Sequence, residues 1–194
     1  METFWIKPKL YFGPEPMAAL DQLAGKRVLI VTDAFLASSG LLDRVKNRLT
    51  GAVEIFDQVE PDPSLRLVAQ GVRMLRDFGP DAVVAFGGGS PMDCAKAMCW
   101  FSGDRDLPLY CIPTTAGTGS EVTSFAVLTD TDQDVKYPLV EEDLLPEAAI
   151  LDASLLEGVR QYDNSPAAIG YTVYYYAHDM EMAQGLKLLS IDGT

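Results

Sequence analysis

One apolar run passes without a break into three glycines: "DAVVAFGGGSPMDCAKAM", residues 81–98. No other feature constrains the fold of this chain as strongly. The segment before the glycines is β-prone and apolar throughout, the pattern of a strand covered on both faces. The residues from 90 to 102 read as a helix, with Ser90 as N-cap and Pro91 at the first helical position, where a missing N–H costs nothing. Glycine gives up more backbone freedom on folding than any other residue, so Gly87, Gly88 and Gly89 need a use. Two uses fit. Bare N–H groups beside a helix N-terminus form an anion site suited to a pyrophosphate. Alternatively, the glycines serve only as a tight turn between strand and helix. The spacing is not GxGxxG, so it is not the common dinucleotide fingerprint.

The same alternation of strand and helix continues on both sides. "RVLIVTD" (27–33) reads as a buried strand, "AFLASSGLLDRVKNRLT" (34–50) has helical spacing, and "AVEIFDQV" (52–59) holds a short strand. From Ser64 a helix is expected with Leu65, Val68, Val72 and Leu75 on one face, stopped by Gly79-Pro80. "LPLYCIP" (107–113) is a further strand, and "VTSFAVLTD", "DVKYPLV" and "AAILD" are strand-like. Strands alternating with helices predict an α/β fold: a doubly wound, mostly parallel, Rossmann-like sheet. Ligands of such sheets bind beyond the carboxyl ends of the strands. Asp33, the glycine run and the loop "IPTTAGTGSEVT" (112–123) all lie at such ends.

Each polar residue there has a ligand reading and a structural one. Asp33 can accept hydrogen bonds from the hydroxyls of an adenosine ribose, which favours NAD over NADP because a 2′-phosphate would be repelled; it can also cap the helix that follows. Asp93 can face a ribose or nicotinamide amide, or form a capping box in the first helical turn. Lys96, one turn on, can offset Asp93 or approach the ligand. Thr114, Thr115, Thr118, Ser120 and Thr123 can bond ligand phosphate or amide groups, with Gly117 and Gly119 allowing close approach, or can serve a structural threonine loop.

Composition removes other classes. Fifteen Lys and Arg against 28 Asp and Glu give a net charge of −13, the wrong sign for a nucleic-acid partner. No apolar stretch is long enough to cross a bilayer, and the first residues lack the basic and apolar regions of a secretory signal, so a cytoplasmic protein is expected. Cys94, Cys99 and Cys111 form no CxxC pair and read as reduced, mostly buried thiols.

"GGGSPMDCAKAM", followed by "IPTTAGTGSEVTSFAVLTD", resembles the iron-containing (group III) alcohol dehydrogenase family. "KLYFGPEP", "LIVTD", "PDPS", "VKYPLV" and "LLPEAAILD" extend the resemblance over about residues 4–157. It implies an N-terminal NAD(P)-binding domain joined to an all-helical domain holding a divalent metal, usually iron. The metal polarises an alcohol oxygen while hydride passes to the nicotinamide. The implied substrate is a primary alcohol or diol, or the aldehyde in reverse, and a homodimer is among the assemblies allowed. By position, Asp33 resembles the ribose-binding acid, and Gly88, Gly89, Ser90 and Asp93 the pyrophosphate-side loop. Thr114, Thr115, Gly117, Thr118 and Thr123 resemble the nicotinamide-side loop, and Lys136 the lysine after it. Asp62 stands where members often carry Asn.

The family's metal ligands, an Asp, a His four residues later and two further histidines, find no match. The chain has one histidine, His178, with Asp179 beside it, so no iron or zinc ligand set can be assembled and no residue is assigned a catalytic role. Residues 1–157 are therefore read as the dinucleotide-binding domain and 158–194 as an atypical tail in place of the helical metal domain. "AAIGYTVYYYA…LKLLSIDG" in that tail resembles a segment of periplasmic phosphate-binding-type proteins. The expected function is the cofactor-binding part of an NAD-dependent alcohol dehydrogenase. The alternatives are a non-catalytic nucleotide- or phosphate-binding module, or a truncated fragment.

Overall fold

The computed structural model describes residues 7–156. The tail assignments, including those for His178 and for residues 158–194, lie outside the described residues. Six parallel strands form one sheet in the order β1-β8-β5-β4-β2-β3. They are β1 (Lys9–Tyr11), β2 (Val28–Val31), β3 (Val53–Phe56), β4 (Ala82–Gly87), β5 (Leu109–Pro113) and β8 (Ala148–Ile150). Helices α1 (Ala34–Ser38), α2 (Asp43–Lys46), α3 (Leu65–Phe78) and α4 (Gly89–Ser102) make the crossovers, and β6 (Phe125–Asp130) with β7 (Val135–Val140) forms an antiparallel hairpin.

Side-chain alternation along the strands builds two cores. Val28, Ile30, Val84, Phe86 and Ile112 pack with α1, α2 and the 3-10 helix Pro16–Leu23. Leu29, Val31, Val83, Ala85 and Cys111 pack with α3 and α4 on the opposite face. β2, β4 and β5 are buried at every residue, which is why they read as continuous apolar runs. From β2 the chain crosses to β3 on one side, then returns past β2 to β4 on the other. The carboxyl ends of β2 and β4 therefore flank the sheet's topological switch point, where such folds open a crevice.

Several sequence expectations are met. Ser64 caps α3, its Oγ accepting from the Leu67 N–H at 3.1 Å, and Gly79 ends the helix with φ +59°. Others are corrected. The 34–50 run is two short helices rather than one, because Gly40 turns the chain at φ +79° and the Ser39 hydroxyl accepts from the Leu41 N–H. α4 starts at Gly89 with Gly88 as N-cap, so the cap falls two residues earlier than the expected Ser90. Proline fits any position of a first helical turn, so Pro91 did not fix the register. Leu65 is exposed (39 %), and Phe78 completes the buried stripe of α3 in its place. β6 and β7 stay out of the parallel sheet, β6 lying against α4, with Pro138 tolerated in a two-stranded ribbon. β1 and the 3-10 helix were not expected at all. Among the described residues, no helix is long and apolar enough to cross a membrane.

Candidate functional site

A cleft of about 860 Å³ opens at the switch point. Asp33, Ala34, Phe35 and Leu36 line it after β2, Val59, Glu60 and Pro61 after β3, Gly88 to Pro91 after β4, and Thr114 and Thr115 after β5. Leu155 closes one end, on a turn whose Asp152 takes a 2.8 Å ion pair from Arg44. Six of the sequence-predicted residues meet here: Asp33, Gly88, Gly89, Ser90, Thr114 and Thr115.

The glycines allow two loops to nest. Gly87 has φ +152°, and a Cβ there would lie 2.6 Å from the Pro91 ring. A Cβ on Gly88 would come within 3.0 Å of Thr115 Oγ1, and one on Gly89 within 3.0 Å of the Thr118 methyl. The glycine turn and the threonine loop thus touch backbone to side chain, and the Thr114 N–H donates to the Gly87 carbonyl at 2.9 Å. The Gly89 and Ser90 amides, in the first turn of α4, have no intrahelical acceptor and carry its positive end to the cleft. Asp33 is the N-cap of α1, with Oδ1 accepting from the Leu36 N–H at 2.8 Å. One Asp33 oxygen thus caps the helix, and the residue also lines the cleft.

Asp93 and Thr123 do not line the cleft. Neither does Asp93 form a capping box: its Oδ1 accepts from the Ser120 hydroxyl at 2.6 Å and its Oδ2 from the Val127 N–H at 3.0 Å. Beside it Lys96 is 1 % exposed. Its Nζ donates to Ser120 Oγ (3.1 Å), the Thr123 carbonyl (2.8 Å) and hydroxyl (3.2 Å), and the Phe125 carbonyl (3.0 Å). Burial holds the Lys96 ammonium below its ordinary range, and the Asp93 and Glu121 carboxylates act against that shift. Together Asp93, Lys96, Ser120 and Thr123 clasp the threonine loop and the start of β6 to α4. Lys96 therefore offsets Asp93 through Ser120 rather than reaching the cleft.

Thr118 sits over Gly89, with Oγ1 accepting from the Ser120 N–H at 3.3 Å, and Gly117 lies exposed with open space around it. Lys136, on β7, pairs with Asp62 at 2.8 Å. The sequence reading missed Phe35, which is 74 % exposed on the cleft wall. A lone aromatic two residues after Asp33, at the end of a strand, was the available signal. Burial pushes the Cys94 and Cys99 thiols up to about 12 and Cys111 up as well, so none supplies a thiolate at neutral pH. Among the described residues, no three His, Cys, Asp or Glu side chains gather to hold a metal ion. This part of the chain does not fit the iron that the resemblance implies.

The sheet order and switch-point cleft define a Rossmann-like α/β domain. The profile of the family described as iron-containing alcohol dehydrogenase matches residues 7–153, and the chain belongs to that family. It is 42 % identical over 164 residues to the 1-propanol dehydrogenase PduQ of Salmonella typhimurium, covering 82 % of this chain and 44 % of that protein. Among solved structures, a 1,3-propanediol oxidoreductase superposes with TM-score 0.71 at 34 % identity. Sulfoacetaldehyde reductase from Bifidobacterium kashiwanohense, in complex with NAD+, does so with TM-score 0.71 at 29 % identity. Each superposition covers 80 % of this chain and 47 % of the other, so the chain spans less than half the length of these three relatives. The family expected from the paired motifs is borne out, whereas the likeness of the tail to phosphate-binding-type proteins gains no support.

Proposed function

We propose that this domain binds NAD in the switch-point cleft. In this reading it is the nucleotide-binding part of an alcohol dehydrogenase acting on a small primary alcohol or diol, or on the aldehyde in reverse. One observation carries the reading: an acid after β2, bare amides at the start of α4 and hydroxyls after β5 border a single cleft of about 860 Å³. That volume is within the range of about 300–1,000 Å³ usual for small-molecule sites. Asp33 takes the adenosine ribose hydroxyls on the oxygen not used for capping, and its charge disfavours a 2′-phosphate. The Gly89 and Ser90 amides take the diphosphate. Thr114 and Thr115 orient the nicotinamide half, and the clasp through Lys96 holds their loop in place. The bound nicotinamide supplies the hydride acceptor.

Calorimetric titration of the 194-residue chain with NAD and NADP, beside Gly89→Val, tests the reading. Saturable NAD binding, weaker NADP binding, and loss of both in the valine variant are expected, because the added side chain must displace Thr118 from beside Gly89. A folded chain that binds neither nucleotide would refute it and favour a phosphate-binding module, for which inorganic phosphate is the control ligand. The Lys96→Met variant gives a further check, since nucleotide affinity should fall along with the order of the loop.

A further inference from the structure

The turn between β3 and α3 reaches over the first turn of α4. Asp62 stands at its apex in a left-handed conformation, φ +56°, and its N–H donates to Ser90 Oγ at 3.3 Å. Ser90 and the neighbouring Glu60 and Pro61 all line the cleft. From this position the Asp62 carboxylate engages Lys136 on the hairpin at 2.8 Å, with both side chains more than half exposed (59 % and 55 %). Backbone register sets up the pair. Thr129, the cross-strand partner of Lys136, donates its N–H to the Pro63 carbonyl at 2.9 Å. The hairpin is thereby docked beside the turn, and Lys136 is held next to Asp62.

The charges of the cleft make this pair consequential. Its lining holds two carboxylates, Asp33 and Glu60, and no Lys or Arg. A diphosphate entering there meets helix amides but no lining cation. Lys136 stands one residue beyond the lining, joined to it through Asp62 and Ser90, with its charge already matched. An exposed pair of this kind is worth at most about 1 kcal/mol, so a ligand carrying two phosphate charges can compete for the ammonium.

We propose that Asp62 sets nucleotide affinity by competing with the ligand's diphosphate for Lys136, so that the pair opens when a dinucleotide binds. The inference rests on the nucleotide reading given above. It makes Asp62 a charge-specificity residue that tolerates phosphate-free ligands and holds back diphosphates. Nucleotide release is accordingly aided by reclosure of the Asp62–Lys136 pair.

Asp62→Asn, Lys136→Met and the double variant of the full chain test this against NAD, ADP and adenosine by calorimetry. Asparagine is uncharged, of the same shape and at home in a left-handed turn, and Lys136 is exposed, so the variants should keep the fold. Asp62→Asn is expected to tighten NAD and ADP by about fivefold, the equivalent of an exposed pair. Adenosine, which lacks phosphate, should bind alike in all four proteins. In the Lys136→Met background the gain should disappear. Unchanged NAD affinity in Asp62→Asn, or a gain that persists in full without Lys136, overturns the proposal while leaving the nucleotide reading intact. If no folded variant binds NAD, ADP or adenosine, the nucleotide reading itself fails and this proposal falls with it.

Discussion

Replacing Lys96 with methionine should destabilise the domain far more than an ordinary lysine substitution. The three N–H groups of Nζ are shared among four acceptor atoms of Ser120, Thr123 and Phe125 at 2.8–3.2 Å. Methionine matches the length of the stem and leaves those acceptors, and Asp93 behind Ser120, without the positive charge. Each orphaned buried acceptor costs about 1–3 kcal/mol. Relief of the ammonium's desolvation offsets part of this, and Asp93 keeps the Ser120 hydroxyl and the Val127 N–H. Removing one member of such a buried arrangement costs about 3–5 kcal/mol. We take the lower end, about 3 kcal/mol, because water can enter beside the loop. For a domain of this size that is a drop in Tm of about 6–12 °C. Thermal unfolding followed by circular dichroism, with Ser120→Ala and the double variant, measures it. The two substitutions should be non-additive by at least about 0.5 kcal/mol, as for groups in one network. A Tm within 2 °C of wild type (about 1 kcal/mol or less) would refute the clasp, as would strict additivity.

Further predictions follow from single side chains. Asp33→Gly should cost only a few tenths of a kcal/mol as a cap replacement yet bring the Kd for NADP toward that for NAD; an unchanged ratio would remove Asp33 from nucleotide selection. Phe35→Ala should leave stability within about 0.5 kcal/mol and weaken ADP by about fivefold, as expected for a ring on which a base stacks; equal ADP affinity would make Phe35 a bystander. Thiol burial predicts an alkaline loss of stability. The unfolded thiols ionise near 9.0, whereas Cys94 and Cys99 hold their protons to about 12, so above the unfolded value the native state binds more protons. Their contribution is complete below pH 9 and is lost as pH rises toward 12. Urea unfolding should show a loss of about 1 kcal/mol per buried thiol between pH 8 and pH 10, and Cys94→Ala should lose correspondingly less. A wild type equally stable at both pH values would contradict this.

The parts of the fold legible in the sequence are those where local chemistry and tertiary structure agree. β2, β4 and β5 are buried on both faces, so their composition announces them. Ser64 and Gly79 bound α3 by capping chemistry that needs no distant partner. Illegible features depend on partners far along the chain. β1 is three residues long and acquires its meaning only by pairing with β8. The Val122–Asp130 and Asp134–Val140 segments read as strands, but periodicity cannot say that they pair with each other and leave the sheet. The same limit applied to the site. Asp33, Gly88, Gly89, Ser90, Thr114 and Thr115 lie just beyond strand ends and are legible from that position. Asp93, Lys96 and Thr123 looked like ligand contacts because they share the motifs, and only the distances of Asp93 and Lys96 to Ser120, Thr123, Phe125 and Val127 reveal the clasp.

The central claim is that one switch-point cleft receives the nucleotide. Its most direct test is amide chemical-shift mapping of the isotopically labelled chain during titration with NAD. The account predicts saturable shifts centred on Asp33–Phe35, Gly88–Ser90 and Thr114–Thr115, with smaller ones reaching Asp62 and Lys136. A footprint centred elsewhere, such as the charged hollow beside Trp100 and Arg105 at the other end of α4, would contradict it.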